Sequence, residues 1–238
     1  MKCLIVAAGQ GTRLREKLEL KPLIQLRGMA LIEHVIVRAR VAGIDEFVVV
    51  SGYRGDELRA ALDEISARVD VPITHVENDE WARSNGVSVL KAKAHLGAPF
   101  ILTMCDHLID AQILRGLMQA PLEADGVMLA VDFNIVDPLN DPDDVTRVRT
   151  EDGRIRAIGK LMPEFDCFDT GVFLCSPAMF EALEESQSLG DDSISGAMNV
   201  LARRDRATVF DVQDKAWIDV DDLVAYEKAE RLLDAKLL

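Results

Sequence analysis

The chain has 238 residues, and its 41 acidic and 27 basic residues give a net charge of −14 at pH 7. This negative balance argues against a nucleic-acid partner and against a basic membrane anchor. The hydrophobic fraction of 49% is enough for a packed core, and no uncharged apolar stretch is long enough to span a bilayer. We therefore expect a cytoplasmic protein without nucleic-acid partner or membrane insertion.

The first half alternates between apolar runs typical of buried strands and segments with helical periodicity. The predicted strands are residues 2–8, 46–51, 73–77, 100–104 and 126–131. The predicted helices are residues 30–42, 56–67, 88–96 and 109–119. This alternation predicts an α/β, Rossmann-like domain with a mixed, mostly parallel sheet flanked by helices.

The second half is richer in short strands. Asp152-Gly153 predicts a hairpin between strands 146–150 and 155–159. Further strands are predicted at 170–175, 207–212 and 215–219, helices at 178–185, 195–203 and 223–237, and a loop at 137–144. No linker interrupts the chain, so we expect one domain over residues 1–238. Four cysteines without a CxxC pair predict buried, reduced thiols.

A glycine loop follows the first strand. Residues 7–14 read AAGQGTRL, and residues 21–23 read KPL. Glycines at the carboxyl end of a buried strand let backbone N–H groups approach phosphate oxygens, and Arg13 and Lys21 add positive charge. A dinucleotide loop or a plain turn is the alternative. Leu14 stands where a dinucleotide loop has its third glycine, and the Gly-Lys-Ser/Thr of a P-loop is missing.

These two segments resemble the signature of the sugar-phosphate nucleotidyltransferases. The resemblance implies a GT-A type domain that joins a nucleoside triphosphate to a phosphorylated alcohol and releases pyrophosphate. It also implies roles for the loop residues. The implied nucleotide-binding residues are Ala8, Gly9, Gly11 and Thr12, and the implied catalytic cations are Arg13 and Lys21.

Two carboxylates end apolar strands in different halves of the chain. Asp106 follows the strand at 100–104, and Asp219 ends the apolar run that begins at Trp217. Carboxylates at strand ends suit Mg²⁺, although Asp106 could instead cap the next helix. The resemblance implies that Asp106 and Asp219 form the metal pair, whereas Asp221 could begin the terminal helix.

The segment from Asn85 to Ser88 has two interpretations. Asn85-Gly86 is typical of a turn, with Ser88 capping the following helix. In the cytidylyltransferase branch, a similar Asn-Gly-x-Ser lies beside the pyrimidine base. By that resemblance, Asn85, Gly86 and Ser88 bind the nucleotide and favour CTP.

Lys160 and the segment Asp169-Thr170-Gly171 are either an exposed lysine with a loop and strand, or an acceptor site. Four motifs occur in order: FILTMxDH, EDGRIxxIGK, EFDCxDTGxF and WxDVD. Together they are similar to the CTP:inositol-1-phosphate cytidylyltransferases. The resemblance implies that Lys160, Asp169, Thr170 and Gly171 bind the acceptor. It also divides the chain into a nucleotide-binding half, about 1–131, and an acceptor-binding half with the terminal helix, about 132–238.

The implied partners are CTP, Mg²⁺ and a phosphorylated alcohol, with a CDP-alcohol phosphotransferase downstream as a separate protein. Phosphocholine or aminoethylphosphonate is the alternative acceptor, and a non-catalytic nucleotide-binding module is the alternative of another class. Cationic acceptors favour an acidic or aromatic cage. The chain has two tyrosines, two tryptophans and eight phenylalanines, so few residues could form an aromatic cage, which favours a polyol. We assign no catalytic role to His107, because a phosphate acceptor needs no general base.

Overall fold

The computed structural model describes residues 1–11, 20–136 and 139–238. The strands are β1 (Lys2–Ala7), β2 (Gln25–Leu26), β3 (Met29–Ala30), β4 (Glu46–Ser51), β5 (Ile73–Glu77), β6 (Phe100–Met104), β7 (His107–Ile109), β8 (Val127–Asp132), β9 (Arg147–Glu151), β10 (Arg154–Gly159), β11 (Cys167–Cys175), β12 (Ala207–Asp211) and β13 (Trp217–Asp219). The α-helices are α1 (Leu31–Ala42), α2 (Gly55–Val69), α3 (Asn85–Lys91), α4 (Ala111–Gln119), α5 (Ala178–Ser188), α6 (Ile194–Arg203) and α7 (Leu223–Asp234).

A nine-stranded sheet has the order β5-β4-β1-β6-β11-β8-β12-β10-β9. Strands β5, β4, β1 and β6 are parallel, and so are β8 and β12. Strand β11 enters antiparallel between β6 and β8, and β9 and β10 add an antiparallel edge. The predicted α/β fold with a mixed sheet is confirmed, and the parallel pairs lie mainly in the first half.

The sheet is covered on both faces. Along β1, Cys3 and Ile5 belong to one apolar cluster, whereas Leu4 and Val6 belong to another. Alternate side chains of a strand point to opposite faces, so each cluster covers one face of the sheet. This is why β1 is a continuous apolar run rather than an alternating one.

The hairpin prediction is confirmed, because Asp152 and Gly153 have φ values of 51° and 73° and connect β9 to β10. All four cysteines are buried and free. Several bounds differ from expectation. Residue 109, predicted to begin a helix, belongs to β7, and α4 begins at Ala111. Helix α3 ends at Lys91 instead of residue 96, and α7 ends at Asp234 instead of residue 237.

The region between Ser84 and Ser88 also differs from the predicted turn. Helix α3 begins at Asn85, and Ser84 is its N-cap residue. Gly86 is buried in the first turn, where an added Cβ would lie 2.5 Å from the carbonyl oxygen of Asp192. The glycine therefore serves close packing of α3 against the segment before α6 rather than a turn.

Candidate active site

The candidate site lies where β6 and β13 end. Strand β7 pairs antiparallel with β13, which places His107 opposite Asp219. The Val220 N–H donates to the Asp106 carbonyl at 3.0 Å, so the two carboxylate-bearing segments are joined by backbone hydrogen bonds. A local ladder thus brings together two aspartates separated by more than a hundred residues in sequence.

Asp106, His107 and Asp219 each offer one ligand atom, and these atoms lie within 4.8 Å of one another. Oδ1 of Asp106 and Oδ1 of Asp219 are buried without a hydrogen-bond partner among the described residues. Unpartnered buried carboxylate oxygens are unfavourable unless a cation takes them. The donor set therefore fits a hard divalent cation coordinated through the two aspartates.

Helix capping does not explain either carboxylate. Helix α4 is capped by Asp110, whose carboxylate accepts from the Gln112 N–H. Helix α7 is capped by Asp222, which accepts from the Ala225 N–H. Asp106 and Asp219 are therefore not used for helix capping.

His107 holds the cluster together. Its Nε2 lies 3.3 Å from Oδ2 of Asp219, and its Nδ1 lies 2.9 Å from the Thr170 carbonyl oxygen. Burial opposes a charge on the ring, but Asp219 and Asp106 outweigh it and raise the pKa of His107 to about 10. His107, to which we assigned no catalytic role from the sequence, lies between the two aspartates and β11.

Lys21 is the buried cation of the site. Its side chain is 8% exposed, and its ammonium is ion-paired with both Asp106 and Asp221. Burial opposes the charge, but Asp106, Asp219 and Asp221 outweigh it and raise the pKa of Lys21. Burial likewise opposes ionisation of Asp106, while Lys21 lowers the pKa of that carboxyl. The pair is therefore charged at neutral pH.

The predicted glycine loop contacts this lysine directly. Gly11 has φ +61°, and a Cβ added there would lie 2.5 Å from Cβ of Lys21. Ala8 is buried, whereas Gly9 is exposed, and none of the described residues has an atom within 4 Å of a Cβ added to Gly9. Gly11 thus provides room for the lysine stem. Thr12 and Arg13, which were also predicted for this loop, lie outside the described residues.

Asp221 was missed as a site residue, because the sequence analysis treated it as a start for the terminal helix. Residues i and i+2 of an extended segment face the same side. Asp219 and Asp221 flank Val220, which is fully buried. The alternation in Asp219-Val220-Asp221 was the signal that could have identified Asp221.

A pocket of about 150 Å³ adjoins the carboxylates. Lys160 and Asp169, both predicted to bind the acceptor, line it together with Asp219 and His107. Nζ of Lys160 donates to Oδ1 of Asp144 at 3.0 Å, and the lysine side chain is 55% exposed. Two predicted acceptor residues therefore share one pocket with a predicted metal ligand.

Strand β11 begins at Cys167, three residues before the predicted start at Thr170, so Asp169 lies within the strand together with Thr170 and Gly171. The pairing of β11 with β8 is irregular after Asp169, where Gly171 has φ +73°. A Cβ on Gly171 would lie 2.0 Å from Nδ1 of His107. The bulge thus lets β11 pass close to the histidine ring.

This bulge also sets the environment of the predicted acceptor residues. Oδ1 of Asp169 accepts from the Gly171 N–H at 2.7 Å, and burial raises the pKa of Asp169 to about 6. Thr170 is fully buried, and its hydroxyl donates to the Ala130 carbonyl at 2.8 Å. Thr170 therefore contributes its carbonyl to His107, while its side chain lies beneath the pocket.

The residues predicted to read the base already have partners. Oδ1 of Asn85 accepts from the Ile194 N–H at 3.0 Å, and Asn85 lines the same pocket as Lys160. Ser88 is buried and accepts from Nδ2 of Asn78 at 2.9 Å. Asn85 thus connects α3 to α6, and Ser88 anchors the segment after β5.

The fold and the site together define a class of nucleoside-triphosphate-dependent transferases. Residues 3–207 match the MobA-like NTP transferase domain, and the chain belongs to this family. None of the helices within the described ranges is long and apolar enough to cross a membrane.

Similar proteins include two curated relatives. The bifunctional IPC transferase and DIPP synthase of Rubrobacter xylanophilus is 37% identical over 221 residues, which cover 91% of this chain and 48% of that protein. The protein of the same name from Archaeoglobus fulgidus is 31% identical over 98% of this chain and 44% of its own length. The chain thus spans about half the length of these curated relatives.

A solved structure described as the inositol-1-phosphate CTP transferase from T. maritima has the same fold. It matches with a TM-score of 0.83 at 24% identity, over 97% of this chain and 95% of that chain.

Proposed function

We propose that the protein transfers CMP from CTP to inositol 1-phosphate, giving CDP-inositol and pyrophosphate. The observation that carries this proposal is the pocket in which Lys160 and Asp169 lie beside Asp219 and His107. A cation and a carboxylate next to a candidate metal site suit an acceptor that has both a phosphate and hydroxyl groups. The names of the two curated relatives and of the solved T. maritima structure support the same reaction.

In this reaction, an oxygen of the acceptor phosphate attacks the α-phosphorus of CTP. The bond from the α-phosphorus to the oxygen that bridges to the β-phosphorus breaks, and pyrophosphate leaves. A phosphate monoester is largely dianionic at neutral pH, since its second pKa is about 6, so the protein needs no general base. The main task of the site is to bring two anions together, and fixed positive charges do this.

We assign the cationic side chains to separate parts of this task. Lys21 neutralises charge at the α-phosphate, because it is buried beside both aspartates. Arg13 holds the triphosphate together with the backbone of Ala8, Gly9, Gly11 and Thr12. Lys160 binds the acceptor phosphate, for which it exchanges its contact with Asp144. Residues 1–131 thus serve the nucleotide and residues 132–238 the acceptor.

Asp106 and Asp219 would hold the divalent cation, which we propose is Mg²⁺. Such an ion stabilises negative charge on phosphate oxygens when it is bound. The two unpartnered carboxylate oxygens support this assignment. His107 keeps Asp219 in place, because its other ring nitrogen is tied to the Thr170 carbonyl.

For the nucleotide we propose CTP, with Asn85, Gly86 and Ser88 lining the base. Asn85 uses Oδ1 for the Ile194 N–H, which leaves its amide N–H₂ as donor. Gly86 lets α3 lie close to the segment before α6, and the Asn78 amide fixes Ser88. A base that does not match such fixed polar groups leaves them unpaired, which makes discrimination strong.

A polyol fits the pocket better than a quaternary amine does. Phe173 and Trp217 are the aromatic carbocycles of the lining, and both are buried, at 1% and 3% exposure. The indole N–H of Trp217 donates to Oδ2 of Asp132 at 2.8 Å. These rings do not offer the open faces that a cation–π cage uses. Hydroxyl groups, in contrast, find an acceptor in the Asp169 carboxylate, and Thr170 and Gly171 shape this edge of the pocket through the bulge in β11.

The product is an activated alcohol, which a CDP-alcohol phosphotransferase would consume. The names of the curated relatives pair the transferase with a second activity, DIPP synthase, in one protein. We propose that the CDP-inositol made here passes to such an enzyme and that the transfer takes place in the cytoplasm.

Pyrophosphate release tests the proposed function. The protein is mixed with Mg²⁺, each of the four nucleoside triphosphates and, separately, inositol 1-phosphate, glucose 1-phosphate, phosphocholine and aminoethylphosphonate. We expect release only with CTP and inositol 1-phosphate at an appreciable rate. Comparable turnover with UTP or GTP contradicts the nucleotide assignment, turnover with another acceptor contradicts the inositol assignment, and no turnover at all favours a non-catalytic module.

A further inference from the structure

Lys21 is shared between two carboxylates that differ in one respect. Asp106 belongs to the candidate metal cluster, whereas Asp221 is not part of that cluster. The Lys21 side chain is 8% exposed, and Asp106 and Asp221 are 15% and 22% exposed. The ammonium is therefore paired with Asp106, which a metal ion would also bind, and with Asp221, which lies outside the candidate metal cluster.

The position of Lys21 is fixed by the backbone around it. Its stem lies against Gly11, which has no Cβ to displace it. Lys21 also begins a short 3-10 helix, Lys21–Leu23, whose next residue is a proline. The stem therefore stays in the site, and among the described residues the ammonium has Asp106 and Asp221 between which it can move.

A divalent cation at Asp106 and Asp219 changes this balance. Like charges a few ångströms apart repel strongly in a partly buried site. The metal ion would draw electron density from Asp106 and would repel the ammonium that is paired with it. Lys21 then needs a second anion close enough to reach without leaving the reaction centre.

We infer that Asp221 is a positioning residue that keeps the Lys21 ammonium in the site when a divalent cation takes Asp106. The catalytic importance of this role rests on the proposed function, whereas the ion pair between Lys21 and Asp221 is present whichever acceptor the protein uses. Asp219 and Asp221 have different partners. Asp219 contacts His107 in the candidate metal cluster, whereas Asp221 is ion-paired with Lys21.

The inference predicts how metal binding depends on Asp221. In Asp221→Asn, Lys21 loses one of the two ion pairs that it forms among the described residues, keeps the other with Asp106, and therefore competes more strongly with the metal ion for Asp106. We expect Mn²⁺ binding to weaken by about tenfold. In Lys21→Met the competitor is gone, so Mn²⁺ binds more tightly than to the wild type. In the double variant, the Asp221→Asn change then alters Mn²⁺ binding by less than about twofold.

The experiment is a Mn²⁺ titration of the 238-residue chain without substrates, monitored by electron paramagnetic resonance. It compares the wild type, Asp221→Asn, Lys21→Met and the double variant. Asp222→Asn is the matched control, because it removes the same charge from the adjacent residue and asparagine also caps helices well. Urea unfolding checks that each variant folds, and Asp221→Ala replaces Asp221→Asn if the amide variant does not.

Weaker Mn²⁺ binding in Asp221→Asn alone, lost in the Lys21→Met background and absent from Asp222→Asn, supports the inference. Equal weakening in both backgrounds overturns it, since Asp221 would then act by its own charge or as a ligand. Unchanged binding in Asp221→Asn, or no Mn²⁺ binding by the wild type, overturns it as well. Failure of the proposed function is distinguishable, because the titration requires neither CTP nor turnover.

Discussion

The two lysines of the candidate site lie in contrasting environments. Lys21 is 8% exposed and ion-paired with two carboxylates, whereas Lys160 is 55% exposed and contacts the single carboxylate of Asp144. Breaking a buried pair leaves an uncompensated charge, but an exposed pair contributes little. The contrast suggests that Lys21 is fixed before substrates arrive, while Lys160 is free to exchange Asp144 for a substrate phosphate.

The largest effect is expected at the buried lysine. Lys21→Met should lower kcat by about 100- to 1000-fold, because a preorganised charge at the reacting phosphate is lost. The KM for inositol 1-phosphate should change little, which initial-rate kinetics at saturating CTP will measure. An unchanged kcat would show that Lys21 does not act at the reacting phosphate, and it would contradict the different roles that we assign to Lys21 and Lys160.

The carboxylates around Lys21 come next. Asp106→Asn and Asp219→Asn should each lower the rate roughly 100-fold at low Mg²⁺, since metal-dependent charge stabilisation is worth several kcal/mol. Rates measured over a Mg²⁺ titration test this, with circular dichroism to confirm the fold. Asp110→Asn is the control, because it removes an equal charge at a helix cap that asparagine also suits. Near-normal turnover at low Mg²⁺ would refute the ligand assignment for that residue.

Gly11 links the loop to the buried lysine. Gly11→Ala should lower kcat about tenfold, because the new Cβ would lie 2.5 Å from Cβ of Lys21 and a displaced catalytic group loses rate quickly. Gly28→Ala separates this clash from backbone strain, since Gly28 also has a positive φ, +80°, but no atom within 4 Å of the added Cβ. Equal losses of activity in the two variants would show that strain, not the contact with Lys21, is responsible.

The exposed lysine should affect acceptor binding alone. Lys160→Ala and Asp169→Ala should each raise the KM for inositol 1-phosphate by about tenfold, the effect of losing a hydrogen bond to a charged group. Calorimetric titration should show CTP affinity close to that of the wild type. Lys93→Ala is a suitable control, because Lys93 forms a comparable exposed ion pair with Glu184. A tenfold loss of CTP affinity would move the residue to the nucleotide site.

The smallest effect concerns stability and pH. Burial raises the pKa of Asp169 from 3.8 to about 6, so between these values the native state binds more protons than the unfolded state. The free energy of unfolding of the wild type should therefore fall, relative to Asp169→Asn, as pH rises through this window. Urea unfolding at a series of pH values measures the difference, which should level off above pH 6. A difference that is constant with pH would contradict the burial of this carboxyl.

The parallel half of the fold was predictable from local patterns. Strands β1, β4 and β6 are apolar runs buried on both faces, whereas β5 is a partly exposed edge strand, and the predicted bounds of all four agree with the structure to within a residue. The carboxyl end of such a strand identifies a ligand edge, which favoured Asp106 as a site residue, whereas Lys21 was predicted for the site by the resemblance to the nucleotidyltransferase signature. In this half, the apolar residues that produce the local sequence pattern are the same residues that are buried in the sheet.

The rest depended on contacts that distant segments make. The pairing of β7 with β13, which places His107 opposite Asp219, has no local signature in a three-residue strand. The bulge in β11 requires Gly171 only because the His107 ring lies against it. Asp221 was missed for the same reason, since its partner Lys21 is two hundred residues away in sequence. Local propensity does not report such pairings.

The most direct test of the account is ³¹P NMR of CTP, Mg²⁺ and inositol 1-phosphate with the wild type, Lys160→Ala and Lys21→Met. We predict that the wild type forms CDP-inositol and pyrophosphate in equal amounts. Lys160→Ala should regain the wild-type rate at saturating inositol 1-phosphate, whereas Lys21→Met should not. Absence of CDP-inositol with the wild type would contradict the proposed reaction, and a rate that saturating acceptor restores in Lys21→Met but not in Lys160→Ala would contradict the roles given to the two lysines.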